Sequence, residues 1–441
     1  MALKDFDIDS INAPESKIAR SIRAQLRLSE QWRVIGMEVY SSGKEYSDDN
    51  PHERIVLKST DLKNHSEGYV RYNVSPKLRK TYLCIHCGKQ APPMSYQIRV
   101  LKHVTDKGYR CELAVNIPKL SCECGSTPRV RFPAADDGKR YTRALSRAVL
   151  KSLMTKSRSA TANEFQIGWE TVDSIVKSMV KDAIPEQDLS YVTGVYVDET
   201  QFGHGQDYIT TFIDQNHKVI FMCTGHGADT IELFVDHLIV QGGNPENIRF
   251  FSADMSKAYE SGIIRNFPNA DLVWDRFHLA KTINDAVNDI RKNLLRRDDG
   301  EPLKLLKYTV LTHRSNMSDK QKERLQSIRL SNPDMALAYD MKEAFLKIIV
   351  DKVPHRMKFR LTSWIEWVES EGHEKLRNKA AQFKKKMHRI LAWVRHPVSN
   401  SVSEGVNKNI QDIRRQACGF KNVRTFFCMI LLRQGDLTYR I

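Results

Sequence analysis

The chain has 441 residues, 41% of them hydrophobic, so it is long enough for about three domains and wholesale disorder is excluded. Its 69 Lys and Arg outnumber its 53 Asp and Glu, and the net charge of +16 favours a polyanionic partner. Ribosomal contact or an anionic membrane surface would require the same sign, so charge alone does not decide. The longest apolar run, residues 426–432, is too short to cross a bilayer, and the first ten residues do not resemble a secretory leader. We therefore expect a soluble, cytoplasmic protein with no membrane partner.

Residues 1–80 are polar and mixed in composition, and we assign them no function. One stretch, residues 32–40, alternates as a strand does and leads into a turn at residues 41–43. This segment is expected to precede the first module with a recognisable motif.

Five of the eight cysteines lie between Cys84 and Cys124, and in a reducing cytosol this crowding indicates a metal site rather than disulfides. Cys84 and Cys87 form half of a zinc knuckle, and Cys122 and Cys124 supply a second pair. Four thiolates complete a closed, tetrahedral, structural zinc site. The sequence therefore predicts a small zinc-binding β module over residues 81–135.

The second cysteine pair has an unusual one-residue gap, which leaves its ligand identities open. Cys111 and His103 lie in the spacer between the two pairs and are alternative ligands. Buried free cysteines in a β module are the alternative to any metal site.

The hydrophobic period becomes helical from Tyr141, which predicts a helix-turn-helix domain over residues 136–187. A turn at Gly168 precedes a helix that is placed as a recognition helix would be, with its first turn entering a major groove. Three helices packed for stability are the alternative. The side chains expected to contact DNA are Arg158, Trp169, Thr171, Ser174 and Lys177.

An α/β domain is predicted from residue 188 onward, in two parts, 188–295 and 396–441. Its strand-like runs are residues 195–198, 208–213, 219–223, 248–253 and 270–274, with helical segments between and after them. Residues 296–395 show helical periodicity and no convincing strand, which predicts an all-helical insertion before the last helix of the domain.

Asp198 and Asp254 each end an apolar strand, where an ionised carboxylate is costly unless it is paired or bound to metal. Two such residues from neighbouring strands can bridge hard cations, and Glu404 is the candidate for a third ligand. Each has an ordinary alternative. Asp198 can pair with an arginine, Asp254 can cap a helix, and Glu404 fits a capping box with Ser401.

Four sequence blocks resemble bacterial insertion-sequence transposases of the ISL3 type. They are Asp198-Glu199 after its strand, Asp254 with residues 255–259, residues 273–278, and residues 399–407 continuing to 413–420. The resemblance runs from about Cys84 to the C-terminus. It implies an RNase H-like catalytic core with a mixed sheet, interrupted by the helical insertion, and a catalytic triad of Asp198, Asp254 and Glu404.

The resemblance also implies the chemistry and the partners. The three carboxylates would hold two Mg²⁺ or Mn²⁺ ions per active site for DNA strand cleavage and strand transfer. The partners would be double-stranded transposon ends and target DNA, bound by a homodimer or larger homo-oligomer in the bacterial nucleoid. Asp275 and His278 resemble an Asp-x-x-His signature and are accessory candidates, with helix-start packing as the alternative for His278.

Residues 377–395 contain seven Lys or Arg and no acidic residue. We expect Lys384, Lys385 and Lys386 to track the DNA backbone, with a solvated helix face as the alternative. Trp364 and Trp367 are expected in a helical core, with stacking on an unpaired base at a cleaved DNA end as the alternative. Two other functions compete with a transposase, namely a transposase-derived DNA-binding regulator without catalysis and an RNase H-like nuclease without strand transfer.

Overall fold

The computed structural model describes residues 17–26, 28–40, 55–57, 69–106, 109–184, 187–202, 208–253, 257–297, 307–398, 401–417, 420 and 422–435. The chain divides into two compact units. Of the described residues, the first unit contains those up to Val180 and those between Gln416 and Thr425, and the second contains those between Lys181 and Arg415 and those from Phe426 to Gly435.

The first unit is built on a five-stranded sheet. Its elements are α1 (Lys17–Gln25), β1 (Trp32–Tyr40), β2 (Ile55–Leu57), β3 (Tyr69–Pro76), β4 (Tyr82–Leu83), β5 (Gln90–Ala91), β6 (Pro93–Asp106) and β7 (Tyr109–Leu120). The strand order is β2-β1-β3-β7-β6, and β4 and β5 form a separate short hairpin. The predicted strand over residues 32–40 is confirmed as β1.

This sheet crosses the expected boundary between residues 80 and 81. β3 pairs in parallel with β7, from Tyr69 opposite Arg110 to Val74 opposite Val115. Val74 and Val115 are fully buried in one core, where the rings of Trp32 and Phe132 pack edge to face. Strands from both sides of the boundary therefore bury a common face.

Three helices follow in the same unit: α2 (Arg143–Leu153), α3 (Arg158–Glu164) and α4 (Trp169–Ala183). The hydroxyls of Thr142 and Ser157 cap the first two by accepting backbone N–H groups at Leu145 and Ala160. Of the residues that repeat at helical spacing, six are buried, namely Leu145, Val149, Leu153, Val172, Ile175 and Val176, whereas Ala144, Ala148 and Met179 are partly buried.

The second unit contains a mixed five-stranded sheet. Its strands are β8 (Gly194–Gln201), β9 (Tyr208–Asp214), β10 (Val219–Thr224), β11 (Phe250–Ala253) and β12 (Asp271–Trp274), in the order β10-β9-β8-β11-β12. β8, β11 and β12 are mutually parallel, whereas β9 is antiparallel to both of its neighbours. All five predicted strands are confirmed, with ends shifted by up to three residues.

Helices cover the apolar side chains of this sheet. They are α5 (Ala228–Val240), α6 (Lys257–Asn266) and α7 (Arg276–Arg297). Phe212 of β9 and Phe234 of α5 are fully buried and stack with ring centroids 4.4 Å apart. Because strands and helices share this core, the carboxyl ends of the central strands are held in fixed positions.

An all-helical segment follows α7, as expected, and the described residues between 307 and 395 contain no strand. Its helices are α8 (Lys307–Leu311), α9 (Asp319–Ser331), α10 (Pro333–Ile348), α11 (Pro354–Glu371), α12 (Glu374–Lys385) and α13 (Met387–Arg395). Trp364 is buried here and its indole N–H donates to the carbonyl of Met341 at 2.8 Å, so its predicted core position is confirmed.

Two helices end the described chain, α14 (Ser401–Gln416) and α15 (Val423–Gln434). Among the residues that the structure describes, no helix is both long and apolar enough to cross a membrane.

Candidate active site

Two carboxylates lie at one edge of the second sheet, on either side of the end of β11. Ser252 of β11 pairs with Tyr196 of β8 and with Val273 of β12. Asp198 lies two residues beyond Tyr196, and Asp275 lies two residues beyond Val273. Neighbouring strands are about 4.8 Å apart, so each carboxylate lies about one strand's width from the end of β11.

Helix α14 brings a polar side chain to Asp198 from 209 positions away in the chain. The amide N–H of Asn407 donates to Asp198 Oδ2 at 2.8 Å, while Asn407 Oδ1 accepts the hydroxyl of Thr200 at 2.6 Å. Because the ionised carboxylate only accepts, the NH₂ end of the amide faces Asp198, which leaves the amide oxygen for the hydroxyl of Thr200. The backbone N–H of Glu199 donates to Asp198 Oδ1 at 2.8 Å. Asp198 is therefore held from two sides.

Glu404 lies on the same face of α14 as Asn407, since residues three apart are neighbours on a helix surface. The stripe continues through Gln411 and Arg414, whose side chains donate to the backbone carbonyl of Gln201 at 3.4 and 3.1 Å. This stripe thus follows the end of β8. Glu404 is exposed and lies one helical turn before the residue that contacts Asp198.

Asp254 lies outside the described residues, immediately after Ala253, the last residue of β11. On the other side of that strand, Asp275 is buried and directly precedes α7. One carboxylate oxygen of Asp275 accepts the backbone N–H of His278 and also lies 3.1 Å from the ring nitrogen Nδ1. The helix-start arrangement expected as one alternative for His278 is present, and it also fixes the imidazole beside the sheet edge.

The four expected zinc ligands lie together in the first unit. One sulfur each from Cys84, Cys87, Cys122 and Cys124 lies within 4.8 Å of all the others, so the cluster could hold a metal ion. Gly88 and Gly125 each follow a cysteine pair with a φ of +72° and +80°, a backbone conformation that side chains with a Cβ rarely adopt. The two glycines let the chain turn around the cluster.

The two alternative ligands are engaged elsewhere. Cys111 is buried in the core of the first sheet, and Nδ1 of His103 lies 2.8 Å from the hydroxyl of Thr142. Within the cluster, hydrogen bonds led by that from the backbone N–H of Cys87 lower the pKa of Cys84 to about 6, whereas contacts with the other thiols raise the pKa of Cys122. Since a thiolate and not a thiol binds metal, the hydrogen bonds at Cys84 favour the form that a metal requires.

Helix α4 presents one exposed face. Trp169 at its first position is 58% exposed, and Ser174 and Lys177 are exposed further along. The hydroxyl of Thr171 accepts the ammonium of Lys102 at 3.2 Å. The exposed side chains have the arrangement expected of a recognition helix, and Thr171 is tied to the first sheet.

Arg158 has internal partners. Its guanidinium contacts the buried carboxylate of Asp173 at 2.8 Å and lies over the Phe420 ring at 4.6 Å. These contacts join α3 to α4 and to the segment after α14. They favour a structural role over the expected phosphate contact.

The three consecutive lysines of the insertion differ from one another. Lys384 pairs with Glu369 at 2.9 Å, and Lys386 pairs with Glu260 of α6. Lys385 is exposed. A continuous basic track is therefore interrupted by two ion pairs.

Two protein-family models match parts of the chain. The helix-turn-helix domain of transposase family ISL3 matches residues 130–180, and the family model described as the ISL3 transposase matches residues 195–430, more than half of the chain. The chain belongs to the ISL3 family of DDE transposases.

Individual proteins that resemble this transposase are themselves transposases of insertion sequence elements. It is 28% identical over 360 residues to the transposase for insertion sequence element IS1001 of Bordetella parapertussis, covering 80% of this chain and 88% of that protein. It is 22% identical over 413 residues to the transposase for insertion sequence element IS1557 of Mycobacterium tuberculosis, covering 86% and 92%.

Asn407 is the site residue that the sequence did not single out. Its three-residue spacing from Glu404 on a helical segment was a usable signal, because it places both side chains on one face of the transposase's α14.

Proposed function

We propose that this transposase binds the terminal inverted repeats of an insertion sequence and catalyses metal-dependent cleavage and transfer of DNA strands. The catalytic centre would be an RNase H-like domain with Asp198, Asp254 and Glu404 as its acidic triad. The observation that carries this proposal is the hydrogen bond from Asn407 to Asp198, because it brings the helix that bears Glu404 against β8 at Asp198.

The strand register supports the central position of Asp254. Asp254 is bonded to Ala253, and Ala253 pairs with Trp274, the residue before Asp275. Asp198 lies within β8, three residues before its end, and Asp275 follows β12 directly, so these two carboxylates flank the point at which β11 ends and the chain continues to Asp254.

The donor set fits a hard divalent cation. Carboxylate oxygens are the ligands that Mg²⁺ and Mn²⁺ prefer, and Asp198, Asp254 and Glu404 would hold two such ions. When bound, the ions supply activation of water or a DNA 3′-hydroxyl and stabilisation of the leaving 3′-oxygen. Asn407 and Thr200 orient Asp198, and Asp275 fixes the ring of His278 at the same edge.

DNA recognition is assigned to the first unit. The exposed face of α4, with Trp169, Ser174 and Lys177, would enter the major groove. Zn²⁺ held by the four-cysteine cluster would fix the hairpin β4–β5 to the end of β7 and thereby stabilise this module. Two transposon ends must be cut and joined together, so we infer that the active form on DNA contains at least two protomers.

Incubation with duplex carrying the element's terminal repeat, in Mg²⁺ or Mn²⁺, tests this function. Wild type should nick the repeat end and join it to a target plasmid, whereas Asp198→Ala should bind the same duplex and leave it intact. Binding with no nicking above Asp198→Ala would indicate a regulator. Nicking without joined product would indicate a nuclease.

A further inference from the structure

A cavity of about 910 Å³ lies between α6 and the helical insertion, entirely within the second unit. Ile264 and Arg265 of α6 form one wall, and α12 forms the other. Trp274, the last residue of β12, lines the cavity between these walls. This volume is within the range of about 300–1,000 Å³ that is typical of ligand sites.

The wall from α12 is polar. Asn378, Gln382 and Lys385 line the cavity and recur at spacings of four and three residues, so they share one face of the helix. Ala381 lines the cavity on the same face and leaves room for an occupant. Two amides and one ammonium group therefore project from one helix towards the space.

The charge of the lining suits an anion. Glu260 is the acidic residue of the lining, and it is paired with both Lys386 and Arg389. Arg265 and Lys385 leave the cavity electropositive. Arg265 pairs with Glu232 at 3.0 Å, but these side chains are 70% and 51% exposed, and such surface pairs are weak.

Trp274 packs in the core beside α6, whereas the preceding residue Val273 packs against Trp393, so the cavity lies on the face of the sheet opposite to that of Val273. We propose that the cavity binds the phosphate backbone of DNA. Arg265 and Lys385 contact its phosphates, and Asn378 and Gln382 donate hydrogen bonds to the same segment. This inference rests on the proposed function and assigns the insertion's DNA contact to Lys385 rather than to Lys384.

The test is the salt dependence of binding to a short DNA duplex of arbitrary sequence, since phosphate contacts do not depend on sequence. The variants are Arg265→Gln with Lys385→Gln, and the matched control is Lys384→Gln, whose lysine pairs with Glu369. The slope of log K against log salt concentration should fall by about 2 for the double variant, or about 1 per contact, and stay at the wild-type value for the control. An unchanged slope in the double variant would overturn the proposal.

A second variant tests whether the volume of the cavity, rather than its charge, is needed for DNA binding. Ala381→Trp would occupy the cavity without altering its charge, and we expect a loss of affinity for the same duplex of about tenfold or more. Unchanged affinity would place the phosphates outside the cavity and would also overturn the proposal. Melting temperatures close to wild type check that all variants are folded.

Both readouts measure binding, so they remain informative if wild type fails to cleave terminal-repeat DNA. In that case the catalytic proposal fails, while the cavity is still judged by the slope and by Ala381→Trp. Conversely, if wild type cleaves the DNA and the double variant has an unchanged slope, only the proposal for the cavity is rejected.

Discussion

Asn407 makes two directed hydrogen bonds with residues of β8, to the carboxylate of Asp198 and from the hydroxyl of Thr200. Groups that orient metal ligands influence both the position and the basicity of those ligands. Asn407 is thus placed to position the carboxylate that we propose as catalytic, without contacting the reacting atoms itself.

Asn407→Ala should lower the nicking rate by about 10–100-fold, the usual cost of losing a group that orients a metal ligand. The concentration of Mn²⁺ that gives half-maximal nicking should rise, and excess Mn²⁺ should restore part of the rate. Asn409→Ala is the matched control, since Asn409 lies on the same helix and bonds to Gln434. Equal metal dependence in the two variants would contradict this role.

Variants of Arg158 and Lys177 should distinguish a role in protein stability from a role in DNA binding. Removal of Arg158 leaves the buried Asp173 without its closest cation, so Arg158→Ala should lower the free energy of unfolding by about 2–3 kcal/mol. Lys177→Ala should change it by less than about 0.5 kcal/mol while weakening DNA binding. Urea unfolding of the full chain and a DNA titration measure the two effects. Equal stability of the two variants would remove the structural role of Arg158.

The sequence could not predict the roles of these cations. Residues 384–386 form a uniform basic run, but Glu369 and Glu260, which pair with two of its members, are 15 and 126 positions away. The partner of Arg158 is 15 positions away on another helix. Charge patterns show which residues are basic, whereas the fold decides which of them are already paired.

At the scale of elements, the cysteine cluster joins the hairpin β4–β5 to the end of β7. Its ligand set was predicted from two short motifs, because each pair and its glycine are local in sequence. The exclusion of Cys111 required the fold, since only the sheet shows that this side chain points into the core.

Purified chain should contain one Zn²⁺ per molecule. Cys87→Ser should lose it and lower the melting temperature, because metal binding contributes directly to the folding of small modules. Cys111→Ala is the control and should keep the metal while losing some stability through its cavity. Elemental analysis makes the comparison, and full zinc content in Cys87→Ser would refute the site.

The start of α11 depends on a carboxylate. Asp351 accepts the backbone N–H of Val353 and pairs with Arg356 and Arg360. The hydrogen bond from Arg356 lowers the pKa of Asp351 to about 2. Because the folded-state pKa lies below the ordinary value of 3.8, this contribution to stability is complete above pH 4 and is lost as the pH falls through about 2.

Asp351→Asn should therefore be less stable than wild type above pH 4, with the difference shrinking towards pH 2. Chemical unfolding across this range measures the difference, and Asp334→Asn, at the start of the preceding helix, is a control of similar position. A difference that grew on acidification would have the wrong sign for this account.

At the scale of the whole molecule, hydrophobic patterning predicted the second sheet well, because each strand is a short apolar run bounded by polar residues. The expected division at residue 80 illustrates what patterning lacks. The polar segment gives way to the cysteine motifs near Tyr82, and this change of composition predicted a boundary there. The sheet nevertheless continues across it, because β3 pairs with β7, which lies far away in the sequence. Local sequence patterns likewise do not predict that α14 contacts β8, because the two elements lie about 200 positions apart. Glu404 was therefore predicted mainly from the family resemblance.

The central claim is that Glu404 acts with Asp198 across this long separation. Nicking of terminal-repeat DNA in Mn²⁺ by Glu404→Gln tests it most directly, with Asp412→Asn on the same helix as the matched control and DNA binding measured in parallel. We predict that Glu404→Gln binds DNA as wild type does and nicks about 1,000-fold more slowly, the loss expected when several kcal/mol of transition-state stabilisation disappear, while Asp412→Asn remains active. Nicking by Glu404→Gln at the wild-type rate would contradict the account.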